Sequence, residues 1–179
     1  MKRTRYIAQA GVIAALYAAA SMLALSGMGT FASGPIQFRI SESLTVLALF
    51  TPAAVPGLWI GTCIANQLVG GLGLLDVVFG GLGTLLGAWW TWRFRGRTAV
   101  ALLGPVLFNA LIVPAYLPIV LDDPFGSINL PSIGLPVGLT VYLFGVVTVA
   151  LGQAVVVYGV GWPLLAALRR VGFDTTFRR

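Results

Sequence analysis

Apolar residues in this chain come in long, nearly unbroken runs rather than at the alternating spacing of an element with one wet face. Residues 7–25 and 100–121 are the clearest. At 1.5 Å per residue, runs of about 20 residues cross the ~30 Å hydrocarbon core of a bilayer. Polar and turn-forming clusters separate the runs: a Gly/Ser-rich stretch at 26–35, TPAAVP at 51–56, Gly70-Gly71, and a segment at 122–136 with three prolines and two adjacent aspartates. Pro and Gly punctuate helices. The pattern predicts helices over about 5–27, 40–50, 57–69, 74–94, 98–121 and 138–168. Pro105, Pro114 and Pro163 are expected to bend or end the helices that hold them.

Composition sharpens this into an all-α integral membrane protein with one transmembrane domain over residues 1–179. Charged residues are 9% of the chain and hydrophobic ones 58%, whereas a soluble domain has about 25% charged. The net charge of +6 does not indicate nucleic acid. Lys2, Arg3, Arg5, Arg93, Arg95, Arg97, Arg169, Arg170, Arg178 and Arg179 all flank apolar runs, which is the positive-inside pattern. That pattern also counts the crossings. If the basic ends are all cytoplasmic, the chain returns inside by Arg93 after an even number of crossings, so 40–69 contributes two helices or none, and TPAAVP is where it would fold back. With that turn six helices follow, with both termini cytoplasmic. The first run is too long for a signal-peptide core and reads as the first spanning helix.

Several chemistries are not supported. Cys63 is the single cysteine and there is no histidine, so neither a disulfide nor a common metal site is expected. The chain has no GxxxxGK[ST] phosphate loop and no nucleophile–base pair. No cofactor is expected, and an enzyme is not the reading.

Two lone carboxylates are the main candidates for function, Glu42 in IQFRISESLTVLALF and Asp76 in GLGLLDVVFGGLGTLL. A carboxylate at membrane depth costs roughly 2.5–3.5 kcal/mol on insertion scales and is retained where it meets a cavity, a partner or a substrate. The six-helix layout places Glu42, Asn66 and Asp76 toward the outer ends of helices 2, 3 and 4. Arg39, beside Glu42, could simply pair with either acid. Asp76 shares a face with Gly80, Gly83 and Gly87, which permit close approach of a helix or a flat ligand. Asn109 and Tyr116 share a face of helix 5, and Tyr142 and Gln153 share one of helix 6. These acceptors, donors and rings suit a planar solute with several hydrogen-bonding groups, although membrane amides often only bond neighbouring helices. Helix 1 carries two small-residue strips, Ala10–Ala14–Ala18 and Gly11–Ala15–Ala19. Each could pack inside the bundle or dock on a separate membrane subunit.

PIQFRISESLTVLALFTP followed by GLWIGTCIANQLVGGLGLLDVVFGGLGTLLGA resembles the queuosine-precursor transporter (QueT) family, substrate-binding S components of energy-coupling factor (ECF) transporters. The likeness is densest over residues 35–88. It departs where the family often has a proline soon after SEALT-like sequence and this chain reads LTVLALFTP. The resemblance implies capture of a queuosine precursor such as 7-aminomethyl-7-deazaguanine at the cell membrane. It also implies energisation by a transmembrane coupling subunit and ATP-binding subunits, with helix 1 as the docking surface. Carried onto this chain, it marks Phe38, Arg39, Glu42, Asn66 and Asp76. One carboxylate would take the guanine-type edge and the other the amine. Asn66, Asn109 and Gln153 would read the ring polar atoms, and Phe38, Trp59, Tyr116 and Tyr142 would stack. A different class competes: a stand-alone small carrier, or a structural membrane subunit whose carboxylates serve assembly.

Overall fold

The computed structural model of the protein describes residues 3–28, 38–70, 73–120 and 136–173, and within these every regular element is helical. Much of the two segments expected to be loops, 26–35 and 122–136, lies outside the described residues.

Among the described residues, six helices alternate in direction. They are α1 (Arg3–Met28), α2 (Ile40–Leu49), α3 (Ala54–Ala65, continued by Asn66–Gly70), α4 (Gly73–Arg93), α5 (Thr98–Val120) and α6 (Val137–Arg170). Four of them, α1, α4, α5 and α6, are long and apolar enough to cross a membrane. α3 begins at Ala54, ahead of Pro56. Pro56 falls in the first turn, where a helix makes no use of backbone N–H groups. The Thr51 hydroxyl accepts the Ala53 N–H at 3.3 Å and steadies the turn before it.

Helix α2 is short in residues but not in reach. It is wound as a 3-10 helix over all ten residues. At about 2.0 Å per residue it extends ~20 Å, where ten α-helical residues would cover ~15 Å. Its contacts agree with that length. Ser21 of α1 donates to Ser41 at its start, and Thr51, just past its end, donates to Gln9. The two α1 residues are twelve apart, about 18 Å of α-helix. α2 thus runs antiparallel to α1 and is enclosed by it, α4 and α6, with Ser41, Glu42, Ser43, Thr45, Val46, Leu47 and Ala48 all buried.

Small residues set the packing. A Cβ at Gly57 would come 2.7 Å from the Ala10 carbonyl oxygen, and one at Gly61 2.8 Å from that of Ala14. α3 therefore lies backbone-close to α1 and parallel to it. The two α1 strips divide here. Ala10, Ala14 and Ala18 are buried in the bundle, so this strip is taken up by α3 and is not a free surface. Gly11, Ala15 and Ala19 are exposed. On α4, a Cβ at Gly83 would meet Asn109 at 2.6 Å and one at Gly87 the Pro105 backbone at 2.8 Å. The glycine face of α4 thus admits α5, the most enclosed of the long helices.

The prolines do not end their helices. Pro105, Pro114 and Pro118 lie within α5. Pro105 has no N–H to give the carbonyl four residues earlier, Ala101, and the Thr91 hydroxyl donates to that oxygen at 3.0 Å instead. Pro163 follows a stretch of wider, π-type winding at Val155–Gly161, and α6 continues through it to Arg170.

The alternation gathers the basic residues. Thr91 reaches Ala101 across the α4–α5 turn, Arg169 donates to Thr98, and α1 begins beside the Thr51 turn. Arg3, Arg5, Arg93, Arg95, Arg97, Arg169 and Arg170 thus lie toward one end of the bundle, and Asp76 lies toward the other.

Candidate functional site: two polar layers inside the bundle

Glu42 and Asp76 both face the interior, in separate but adjoining clusters. Glu42 is fully buried because the 3-10 winding of α2 turns it toward α1, α4 and α5 together. Tyr17 of α1 donates its hydroxyl to Oε1 at 2.5 Å, and Thr84 of α4 donates to the same oxygen at 3.1 Å. The Asn109 amide of α5 approaches Oε2 at 3.5 Å, the outer limit of a hydrogen bond. A single carboxyl therefore ties four helices. These hydrogen bonds offset part of the cost of burying a carboxyl there.

Asp76 is 4% exposed. Tyr116 of α5 donates to its Oδ1 at 2.5 Å. Asn66 of α3 donates its amide N–H to the Asp76 backbone carbonyl at 2.8 Å, while its Oδ1 accepts from Arg39. Arg39 lies just ahead of α2, in the field of both carboxyls. Phe38 beside it is half-buried. Gly80 keeps this cluster tight: a Cβ there would lie 2.7 Å from the Asn66 amide nitrogen, 3.0 Å from Asp76 Oδ1 and 3.2 Å from the Tyr116 hydroxyl. Asn66 and Asp76 each open a stretch of π-type winding, Asn66–Gly70 and Asp76–Gly80. Such widened turns frequently occur at functional sites, because they re-aim side chains and loosen the backbone ladder. The two clusters meet along α4, where the Thr84 hydroxyl bonded to Glu42 also lies 3.4 Å from the Gly80 carbonyl.

The other expected residues fall into three groups. Asn109 joins the Glu42 layer and Tyr116 the Asp76 layer, with Phe79 stacked on the Tyr116 ring at 5.9 Å. Gln153 is buried on α6. Tyr142 lies at the α5–α6 seam, where its hydroxyl donates to the Leu111 carbonyl at 3.2 Å. Trp59 is not in the interior: it is 41% exposed on the outside of α3. Its position follows from α3 turning Gly57 and Gly61 toward α1, which leaves Trp59 partly exposed with its indole edge beside Gly81 of α4.

Two residues of the site were missed from sequence, Tyr17 and Thr84. Tyr17 carried a signal: it follows Ala14 by three residues, on the packing face of α1, and a buried phenol needs an acceptor. Thr84 lies one turn beyond Gly80 on the Asp76 face, but its hydroxyl could as readily have satisfied its own helix.

The family model described as QueT transporter matches residues 7–170. The chain belongs to the QueT transporter family. The queuosine precursor transporter QueT of Lactococcus lactis subsp. cremoris (strain MG1363) is 37% identical to it over 84 residues, 47% of this chain and 47% of that protein. The chain thus matches over about half the length of that curated relative. No solved structure matches it. As a QueT family member with four apolar helices of spanning length, it is a multi-pass membrane protein of a transporter family, not an enzyme.

Proposed function

We propose that this QueT family member is the substrate-capturing membrane subunit for a queuosine precursor, 7-aminomethyl-7-deazaguanine or a related deazaguanine base. The observation that carries the reading is the Asp76 layer, in which Asp76, Asn66, Tyr116 and Arg39 converge inside an apolar bundle. Arg39 is one cation for two carboxyls. With both ionised, the site holds one negative charge in excess, which suits a planar solute bearing an aminomethyl cation. Carboxylates also accept adjacent N–H groups in bidentate fashion, as a guanine edge offers them. Asp76 is the better placed of the two acids for contact with the solute, since protein donors already occupy Glu42.

On this reading the arginine-rich end is cytoplasmic, both termini included, and the Asp76 end faces outside. The chain works as one membrane unit over its whole length. Transport is driven by separate ECF coupling and ATP-binding subunits. Gly11, Ala15 and Ala19 form the small-residue face through which α1 meets the coupling subunit, because the other strip is enclosed. The second reading, a structural subunit whose acids serve assembly, is favoured for Glu42 alone by the two hydroxyl donors that meet on its Oε1.

The deciding experiment is a thermal-shift titration of the purified chain with 7-aminomethyl-7-deazaguanine, guanine and unrelated vitamins, since a ligand that binds the folded state stabilises it by mass action. A shift with the deazaguanine and none with the vitamins is expected. No shift with any base sinks the capture reading. Uptake into liposomes by the chain alone, with no ATPase present, sinks the coupling part.

A further inference from the structure

Among the described residues, Gln153 is the one buried side chain whose hydrogen-bonding atom is left over. Its Oε1 is buried and has no hydrogen-bond partner among the described residues, and the residue is 5% exposed. Native proteins pair nearly all such atoms, and the exceptions call for an explanation. Structural amides of the kind that bond neighbouring helices are present elsewhere in this bundle and look different. Asn66 is bonded through both ends of its amide, and Gln9 accepts from Thr51. Since the two ends of a Gln amide are assigned from their partners, the observation is that one end of Gln153 lacks one.

Its position gives the atom a use. One turn before it, Val149 packs with Ala110 and Tyr116 of α5. Ala150 and Ala154, on either side, pack against the cluster that joins Val46 of α2, Leu102 and Val106 of α5, and Val157 and Leu165 of α6. Gln153 therefore lies at the level of the stretch 102–113 of α5, which contains Asn109. Asn109 is the loosest member of the Glu42 layer, with its amide 3.5 Å from the carboxyl. An unpaired acceptor and a weakly held amide thus lie at one depth, on the arginine-rich side of Asp76.

We infer that Gln153 is a specificity-determining residue, and that its Oε1 accepts an N–H from the ring edge of the captured base. The inference rests on the capture reading above and assigns the inner end of that site. A polar group that stays unpaired unless the right solute is bound rejects solutes lacking the matching donor. It also weakens the empty protein, because an unpaired buried acceptor carries a desolvation penalty.

These two consequences separate the inference from a structural role. Gln153→Met keeps length and volume but removes the acceptor. The purified full-length variant should melt at the parent's temperature or above it without ligand. It should bind 7-aminomethyl-7-deazaguanine about three- to tenfold more weakly, the loss of one neutral hydrogen bond. Unchanged affinity overturns the inference, and so does a fall in melting temperature without ligand. If Gln153→Met does not fold, Gln153→Leu is measured in its place, and failure of both to fold marks Gln153 as structural and overturns it too. If the parent does not bind the base, the capture reading itself fails and takes this inference with it. Binding by the parent with no loss in the variant leaves that reading standing and removes only the role of Gln153.

Discussion

Glu42 and Asp76 share an interior but differ in how far the protein itself satisfies them. Glu42 takes hydrogen bonds from Tyr17, Thr84 and Asn109, so removing a donor should be felt first in folding. Tyr17→Phe is expected to lower stability by about 1.5–3 kcal/mol, the range for a hydrogen bond to a charged group, read as a fall in melting temperature without ligand. A variant as stable as the parent would show that the carboxyl finds another donor. Asp76 should be felt in binding. Asp76→Asn keeps shape and loses charge, and should weaken a cationic deazaguanine by ~1.5–3 kcal/mol, with a smaller effect on the analogue lacking the amine. Glu42→Gln should cost stability before affinity. If instead Glu42→Gln discriminates between the two ligands and Asp76→Asn does not, the acids have exchanged roles. At this scale the sequence was informative about residue type, because isolated charges in an apolar chain stand out. It was silent on Tyr17 and Thr84, whose partner lies in another helix.

Helices here pack as closely as their smallest residues allow. Gly87→Ala would push a methyl to 2.8 Å from the Pro105 backbone, and overpacking of this kind costs about 1–3 kcal/mol. That outweighs the gain in helix propensity of up to about 1 kcal/mol. Gly11 has nothing within 4 Å of the equivalent position, so Gly11→Ala should melt at the parent's temperature or higher. The pair measured by thermal unfolding tests the packing, and equal effects would refute it. Thr91→Val should cost about 1 kcal/mol by leaving the Ala101 carbonyl open beside Pro105. Helical element type was legible from the length of the apolar runs. The 3-10 winding of α2 was not. Nothing in ISESLTVLAL marks it locally, and it follows from the distance α2 must cover between the Ser21 and Gln9 levels of α1.

As a whole molecule the bundle has a basic end and an end bearing Asp76, and that polarity can be measured. With Cys63 replaced by serine, Gly96→Cys at the arginine-rich end and Val137→Cys at the other should react with a membrane-impermeant thiol reagent from opposite sides of the membrane. Labelling from the same side would overturn the six-crossing topology. The two faces of α1 make a second whole-molecule test. Ala15→Leu should spare ligand binding and reduce uptake with the coupling and ATP-binding subunits. Ala14→Leu should damage folding, because Ala14 packs against Gly61. If Ala15→Leu leaves uptake intact, the exposed strip is lipid-facing only.

The sequence by itself determined that this is a membrane helix bundle, how many helices it has, and which two acids to watch. Each of these rests on a bulk property of the chain: run length against bilayer thickness, the placement of basic residues, the rarity of charge. Its motif likeness also led to the family. Tertiary structure alone decided which faces are used. Ala10, Ala14 and Ala18 went inside and Gly11, Ala15 and Ala19 stayed out, Trp59 stayed largely exposed beside Gly81, and Glu42 rather than Asp76 drew donors from three other helices. Helical faces are ambiguous in a membrane chain because lipid-facing and buried positions are both apolar, so no hydrophobic contrast distinguishes them. Only the close approach of backbones at Gly57, Gly61, Gly83 and Gly87 selects one face over the other.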